Sequence, residues 1–208
     1  MLDKEYREDR LDAGLLPQQP IELFAAWYEA ARQTEPWGGS AMVLATASES
    51  CGLSARVVLM RGLLGGGLCF YTNYESRKGQ SLAEQPEAAA VFWWPTQVRQ
   101  VRFEGTVARM AGDESDAYFG GRPRGSQVGA WASPQSMEIP DLEVLRARYQ
   151  EREEAFCSLA SVPRPAFWGG YRLEPNRVEF WQGGKDRQHD RLLYRKKGGD
   201  WEVVRLAP

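Results

Sequence analysis

The sequence predicts an α+β fold in which a strongly curved antiparallel sheet, closing toward a small barrel, carries a few peripheral helices. Three observations support this. Six or more short runs of β-branched and aromatic residues are bounded by Gly, Ser, Asn or Pro clusters. Four segments with helical character interrupt them. No internal repeat or linker divides the 208 residues, so a single domain over 20–208 is expected to follow a mobile polar arm, 1–19.

In chain order, the arm ends in Leu-Pro-Gln-Gln-Pro, and a helix is expected from Pro20, a residue tolerated in a first turn. Ile21, Phe24, Trp27 and Ala31 recur on its core-facing stripe. After Gly38-Gly39 come strands over 41–47, 55–61 and 68–73, an antiparallel meander. Residues 76–85 predict a short helix, with Ser76 as N-cap and Pro86 marking its end. Strands follow over 88–94 and 97–110. In the second, Gln100, Arg102 and Glu104 alternate with Arg99, Val101 and Phe103, so both faces carry polar groups, as a strand lining a site would. Helices are expected over 113–119 and 141–157, then strands over 167–173, 178–181, 192–194 and 201–206.

Composition narrows the function. With 43% hydrophobic and 26% charged residues the chain lies far from the disordered class. Its net charge of -2 excludes a general nucleic-acid coat or a polybasic membrane anchor. Three cysteines without ligand-like spacing, beside one His, argue against a disulfide framework and a metal site. The charged N-terminus and the lack of a long apolar run predict a cytoplasmic protein. The basic residues are 21 Arg and 5 Lys, a bias that suits phosphate and carboxylate recognition and that genomic base composition also produces.

Four clusters hold more polar groups than structure requires. Arg56-Val57-Val58-Leu59-Met60-Arg61 is a strand with a cation near each end, which is also a common arrangement for plain solvent contacts. Tyr71-Thr72 leads into a helix start bearing Ser76, Arg77 and Lys78, where backbone amides and two cations form an anion site or a solvated helix start. Tyr118, Arg122 and Ser126 lie in a Gly-rich stretch able to wrap a second phosphate, with Gln135 and Ser136 following, although the spacing matches no known phosphate fingerprint. The fourth, 179–191, packs Trp181, Arg187, Gln188, the only His (His189) and Arg191 around a Gly turn; its aromatic fits under a flat ligand. Asp186 and Asp190 lack a further acidic partner, which argues against carboxylate catalysis. Two cation-and-hydroxyl nests and an aromatic wall would suit two phosphorylated flat molecules side by side.

These residues lie within SARVVLMRG, FYTNYESRKG, RQVRFEG, YFGGRPRGSQVGAWASPQS, FWGGY, EFWQGGKDRQHDR and a closing RLAP. In that order, over nearly the whole chain beyond the arm, they resemble the pyridoxine (pyridoxamine) 5'-phosphate oxidase family. The resemblance implies an FMN-binding split β-barrel and a homodimer with FMN at the subunit interface. It also implies oxidation of pyridoxamine or pyridoxine 5'-phosphate by O2 to pyridoxal 5'-phosphate, with hydrogen peroxide and, from the amine, ammonia; a hydride would pass from substrate C4' to flavin N5. By the same resemblance the FMN contacts fall on residues 56–61, Tyr71, Thr72, Arg77, Lys78, Gln135 and Ser136, with Gln100, Trp181 and Arg191 at the ring. Substrate contacts fall on Arg61, Tyr118, Arg122, Ser126, Arg187, Gln188 and His189, of which Arg187 and His189 serve catalysis. Two positions depart from the pattern: Arg61 stands where Lys is usual, and the arm presents Asp3 and Tyr6 where an Arg and a Tyr close over substrate, leaving Tyr6 as the expected lid.

Overall fold

The computed structural model describes Leu11 and residues 16–208. Among the described residues, nine strands form one antiparallel sheet: β1 (Ala41–Thr46), β2 (Ser54–Leu59), β3 (Gly62–Leu64), β4 (Gly67–Asn73), β5 (Glu87–Trp94), β6 (Arg99–Arg109), β7 (Trp168–Gln182), β8 (Asp190–Lys197) and β9 (Asp200–Leu206). Their order is β2-β1-β5-β6-β7-β4-β3, with β8 on the C-terminal half of β7 and β9 beyond it. β7 is continuous where the sequence predicted two strands. Pro175 is accommodated because β7 bulges beside it: Glu104 of β6 pairs with Arg177 and Gly105 with Pro175, leaving Asn176 unpaired, and a Cβ on Gly105 would come within 2.1 Å of the Glu174 carbonyl oxygen.

Inward-facing Met42, Leu44, Phe92, Trp94, Val101, Phe103, Val178 and Phe180 form the core, which α1 (Pro20–Thr34) covers with Phe24, Trp27 and Ala31. Phe24 meets Phe103 edge-on at 4.9 Å and Trp27 meets Phe180 at 5.3 Å. The polar residue on the inner row of β6, Arg99, stacks its guanidinium 4.3 Å from the Trp27 ring centroid and donates to Gln182 Oε1 at 2.6 Å. Its role is packing, and only the outer row of that strand is available for a site.

The short helix α2 (Arg77–Glu84) starts as expected: the Ser76 hydroxyl accepts from the Gly79 amide. The helix expected over 113–119 is α3 (Gly112–Gly120), and after a short turn the Gly-rich stretch, for which no further helix was expected, continues as α4 (Arg124–Ala132). Burial of Gln127, Val128 and Ala132 and the Pro123 entry outweigh the helix penalty of Gly125 and Gly129. With α5 (Leu142–Phe156), these helices build a second apolar cluster around Phe119, Val128, Val162 and Trp168 at the β4–β7 end of the sheet. Of the expected arm, Leu11 and Leu16 pack on the main core, and Tyr194 donates to the Pro17 carbonyl at 3.1 Å. Asp3 and Tyr6 lie outside the described residues.

Candidate active site

A cleft of about 480 Å³ opens between the edge strand β2 and strand β4, the two arms of the sheet that curl toward each other. Its lining joins the first three sequence clusters: Arg56 to Leu59 and Arg61 from the β2 side, Tyr71, Thr72, Arg77 and Lys78 from β4 and α2, and Tyr118, Arg122, Gln135 and Ser136 from the helical layer. Both faces of β2 reach it because the strand bonds only to β1 and leaves its other edge unpaired. Met60 is the exception among 56–61, its side chain being buried in the core.

The cleft holds a concentration of uncompensated positive charge. Lys78, 7% exposed, directs its ammonium to Ser76 Oγ at 2.9 Å and to Thr72 Oγ1 and Gln135 Oε1 at 3.1 Å each, all neutral acceptors. Burial, reinforced by the Arg56 charge, lowers its pKa to about 8. Arg56 donates to the Leu44 carbonyl and Thr46 Oγ1 at 3.0 Å each and to Ser54 Oγ, and burial followed by the Arg77 charge lowers its pKa. Arg77 donates to the Cys51 carbonyl at 2.7 Å in the β1–β2 turn. Among the described residues, Arg56, Arg61, Arg77, Lys78 and Arg122 make no ion pair with a carboxylate, whereas Arg102, Arg172, Arg177, Arg191 and Arg195 each do. Unpaired, partly desolvated cations converging on one cavity are a site for a polyanion.

Deeper in the helical layer an aromatic stack adjoins the cations. Tyr71 and Tyr118 lie face to face, 3.7 Å between centroids at 9°, with Trp168 nearly parallel to both at 5.7 and 6.2 Å. The Arg122 guanidinium sits 4.5 Å from the Trp168 centroid, and its buried Nη1 has no hydrogen-bond partner. Ser126 lines an adjoining cavity of about 300 Å³ that shares Arg122, Gln135 and Trp168 with the cleft.

The fourth cluster lies elsewhere. Strand register places Trp93, Gln100, Trp181, Arg191 and Leu206 in one row across the outer face of β5, β6, β7, β8 and β9. Trp181 is four strand spacings from β2, about 19 Å along the sheet. It packs on Trp93 at 6.0 Å and on the His189 ring at 4.6 Å. Arg191 is held by Glu179 Oε1 at 2.9 Å and the Ala207 carbonyl at 2.8 Å. Asp186 and Arg187 both adopt left-handed backbone, at φ 54° and 61°, in the turn that presents the exposed Arg187 and Gln188 side chains. The Gly184 amide donates to His189 Nδ1 at 3.2 Å, which leaves the neutral ring's proton on Nε2.

Residues 33–156 match the family model described as pyridoxamine 5'-phosphate oxidase, and residues 168–208 match the pyridoxine 5'-phosphate oxidase C-terminal dimerisation region. The chain belongs to the pyridoxamine 5'-phosphate oxidase family. A pyridoxine/pyridoxamine 5'-phosphate oxidase of Acaryochloris marina is 48% identical over 207 residues, covering 100% of this chain and 94% of the relative. That of Salinibacter ruber is 47% identical over 216 residues, covering 100% and 97%. Among solved structures, PhzG from Burkholderia lata 383, in complex with tetrahydrophenazine-1-carboxylic acid, superposes with a TM-score of 0.87 at 34% identity, covering 96% of this chain and 98% of that one. A pyridoxamine 5'-phosphate oxidase-related, FMN-binding protein of Nostoc punctiforme shares the fold at a TM-score of 0.72 and 16% identity, over 93% and 100% of the two chains. The curled sheet is thus the split β-barrel of an oxidoreductase family.

Within this family member the structure brings together every residue of the two expected nests except Met60, which is turned inward, Ser76, whose buried hydroxyl accepts from Lys78, and Ser126, which is next door. Gln100, Trp181, Arg187, Gln188, His189 and Arg191 do not line the same cleft. Sequence reasoning gave no role to Trp168, although it lines both cavities. The signal was present in FWGGY: a Cβ on Gly170 would approach Tyr71 Cε1 to 2.9 Å, so that glycine makes room for the stack.

Proposed function

We propose that the chain is an FMN-dependent oxidase that converts pyridoxamine 5'-phosphate and pyridoxine 5'-phosphate to pyridoxal 5'-phosphate. The supporting observation is the set of five cations at one cleft that no carboxylate among the described residues neutralises. The donor chemistry fits a flavin mononucleotide. A buried ammonium, two guanidiniums and the Thr72 hydroxyl suit its phosphate, while Arg61, Tyr118 and Arg122 remain for a second phosphate.

When bound, FMN supplies a two-electron acceptor for the hydride leaving substrate C4', and O2 restores it with formation of hydrogen peroxide. Arg56, Arg77 and Lys78 hold the cofactor phosphate, with Thr72, Gln135 and Ser136 completing the cradle. Arg61, Tyr118, Arg122 and Ser126 hold the substrate phosphate, which orients the pyridine ring. Arg187 carries that ring at the reacting carbon, and His189 Nε2–H hydrogen-bonds beside it. Gln100, Trp181 and Arg191 face the flavin ring. Because they share an outer sheet face away from the cleft, a second copy supplies them, in a homodimer with the cofactor at the interface. The C-terminal dimerisation match over 168–208 and the exposure of Val43, Val57 and Trp93 on that sheet face support this assembly.

The likeness to PhzG favours one alternative, a flat substrate without phosphate. The number of donors argues against it: a ring carboxylate would occupy one guanidinium, whereas Arg61 and Arg122, with Tyr118, offer the several donors that a phosphate dianion takes. The deciding experiment mixes the FMN-loaded protein anaerobically with pyridoxamine 5'-phosphate, follows the flavin absorption, then admits air and assays aldehyde and peroxide. Bleaching and recovery with both products are expected. A yellow protein that bleaches with neither phosphorylated substrate would overturn the reading.

A further inference from the structure

The proposed machinery leaves FWGGY without a role, and its Trp168 is 7% exposed between the cleft and the adjoining cavity. Its indole carries two groups assigned above to the substrate phosphate. The Arg122 guanidinium lies over its face at 4.5 Å, and Tyr118, itself clamped by Tyr71 at 3.7 Å, lies within 11° of its plane. Phe119 adds a second, more distant face at 5.5 Å from the guanidinium. An arginine held in an apolar layer is ordinarily fixed by a carboxylate, as Glu179 fixes Arg191. A carboxylate here would neutralise the charge that a phosphate needs. An aromatic face fixes the guanidinium while leaving its N–H groups and its charge unspent.

We infer that Trp168 is a positioning residue for phosphate selectivity: its indole face holds Arg122 with Nη1 unpaired and keeps Tyr118 in register, so that a phosphorylated ligand is bound in preference to its unphosphorylated counterpart. Burial lowers the Arg122 pKa, with the Arg61 charge acting in the same direction, and an incoming dianion relieves both penalties. The inference rests on the oxidase reading and deepens it.

The test titrates the FMN-loaded protein with pyridoxal 5'-phosphate and separately with pyridoxal, following the perturbation of the flavin spectrum, and repeats both with Trp168→Phe and Trp168→Leu. Loss of the cation–π contact is expected to weaken pyridoxal 5'-phosphate binding about tenfold in the Leu variant and by an intermediate factor in the Phe variant. Pyridoxal binding should change by less than about twofold. With pyridoxamine 5'-phosphate as substrate, KM should rise with little change in kcat, the pattern of a lost uniform binding contact. If the Leu variant does not fold, the Phe variant alone decides by the ratio of the two affinities. Equal losses for both ligands, or no loss for either, would overturn the inference. A parent protein whose flavin responds to neither ligand would overturn the oxidase reading, and this inference with it.

Discussion

Lys78 is the residue in which burial and the proposed function are most directly coupled. Its ammonium is disfavoured in the ligand-free cleft, with a pKa of about 8 against the ordinary 10.5. The unfolded chain therefore binds more protons between those values, and this group makes the ligand-free protein more stable as pH rises across that window. Anion binding has the opposite dependence, because a phosphate is held by the charged form. FMN affinity is expected to hold below pH 8 and to fall by up to about tenfold per unit above it. Fluorescence titrations of the apoprotein with FMN from pH 7 to 9.5 would check this, and Lys78→Met should give a weaker, flatter profile. Arg187 makes a complementary prediction, since its side chain is exposed and lies outside the phosphate cleft. Arg187→Ala is expected to retain bound flavin while lowering kcat/KM at least about a hundredfold, the scale at which misplaced substrates lose rate. Steady-state assays showing an unimpaired rate would remove its assigned role.

At the scale of elements, the start of α2 joins stability to the proposed cofactor binding. Ser76 Oγ accepts from both the Gly79 amide and the Lys78 ammonium, and Ser76 is fully buried. Ser76→Ala is expected to cost about 1 kcal/mol in urea denaturation and to weaken FMN binding at the same time. A stability loss with unchanged FMN affinity would separate the cap from the cradle. Element existence was largely legible in the sequence because it depends on neighbours: the Phe24, Trp27, Ala31 stripe gave α1, and Ser76 with Pro86 bracketed α2. The helix α4 was not legible. Its glycines and Pro123 carry loop propensity, and only the burial of Val128 and Ala132 against partners distant in sequence makes it helical. The continuity of β7 through Pro175 was hidden for the same reason, since the bulge at Asn176 that accommodates the proline is defined only by its pairing with Glu104 and Gly105 of β6, distant in sequence.

For the whole molecule, the expected site residues divide between two surfaces, and the proposed assembly rests on that division. The cleft beside β2 carries the cations; the outer row at Gln100, Trp181 and Arg191 carries the aromatic wall. Val57, 65% exposed, pairs with Val43 on the outer face between them. Val43→Glu, on that face but not lining the cleft, is expected to shift sedimentation from twice the chain mass to once and to release FMN in the same preparation. A monomeric variant that keeps its flavin would show that one chain suffices for the cofactor. The sequence by itself determined which groups are available: the arginines, hydroxyls, aromatics and glycine turns, and their grouping into two nests and a wall, because charge, donor count and turn chemistry belong to residues and their near neighbours. Only the tertiary structure decided that Arg56 and Lys78 share a cleft, that Met60 turns inward, that Arg122 rests on Trp168, and that the wall stands apart. Those arrangements depend on strand order, register and curvature, which are set by side chains packing across more than a hundred residues of sequence rather than by any local preference.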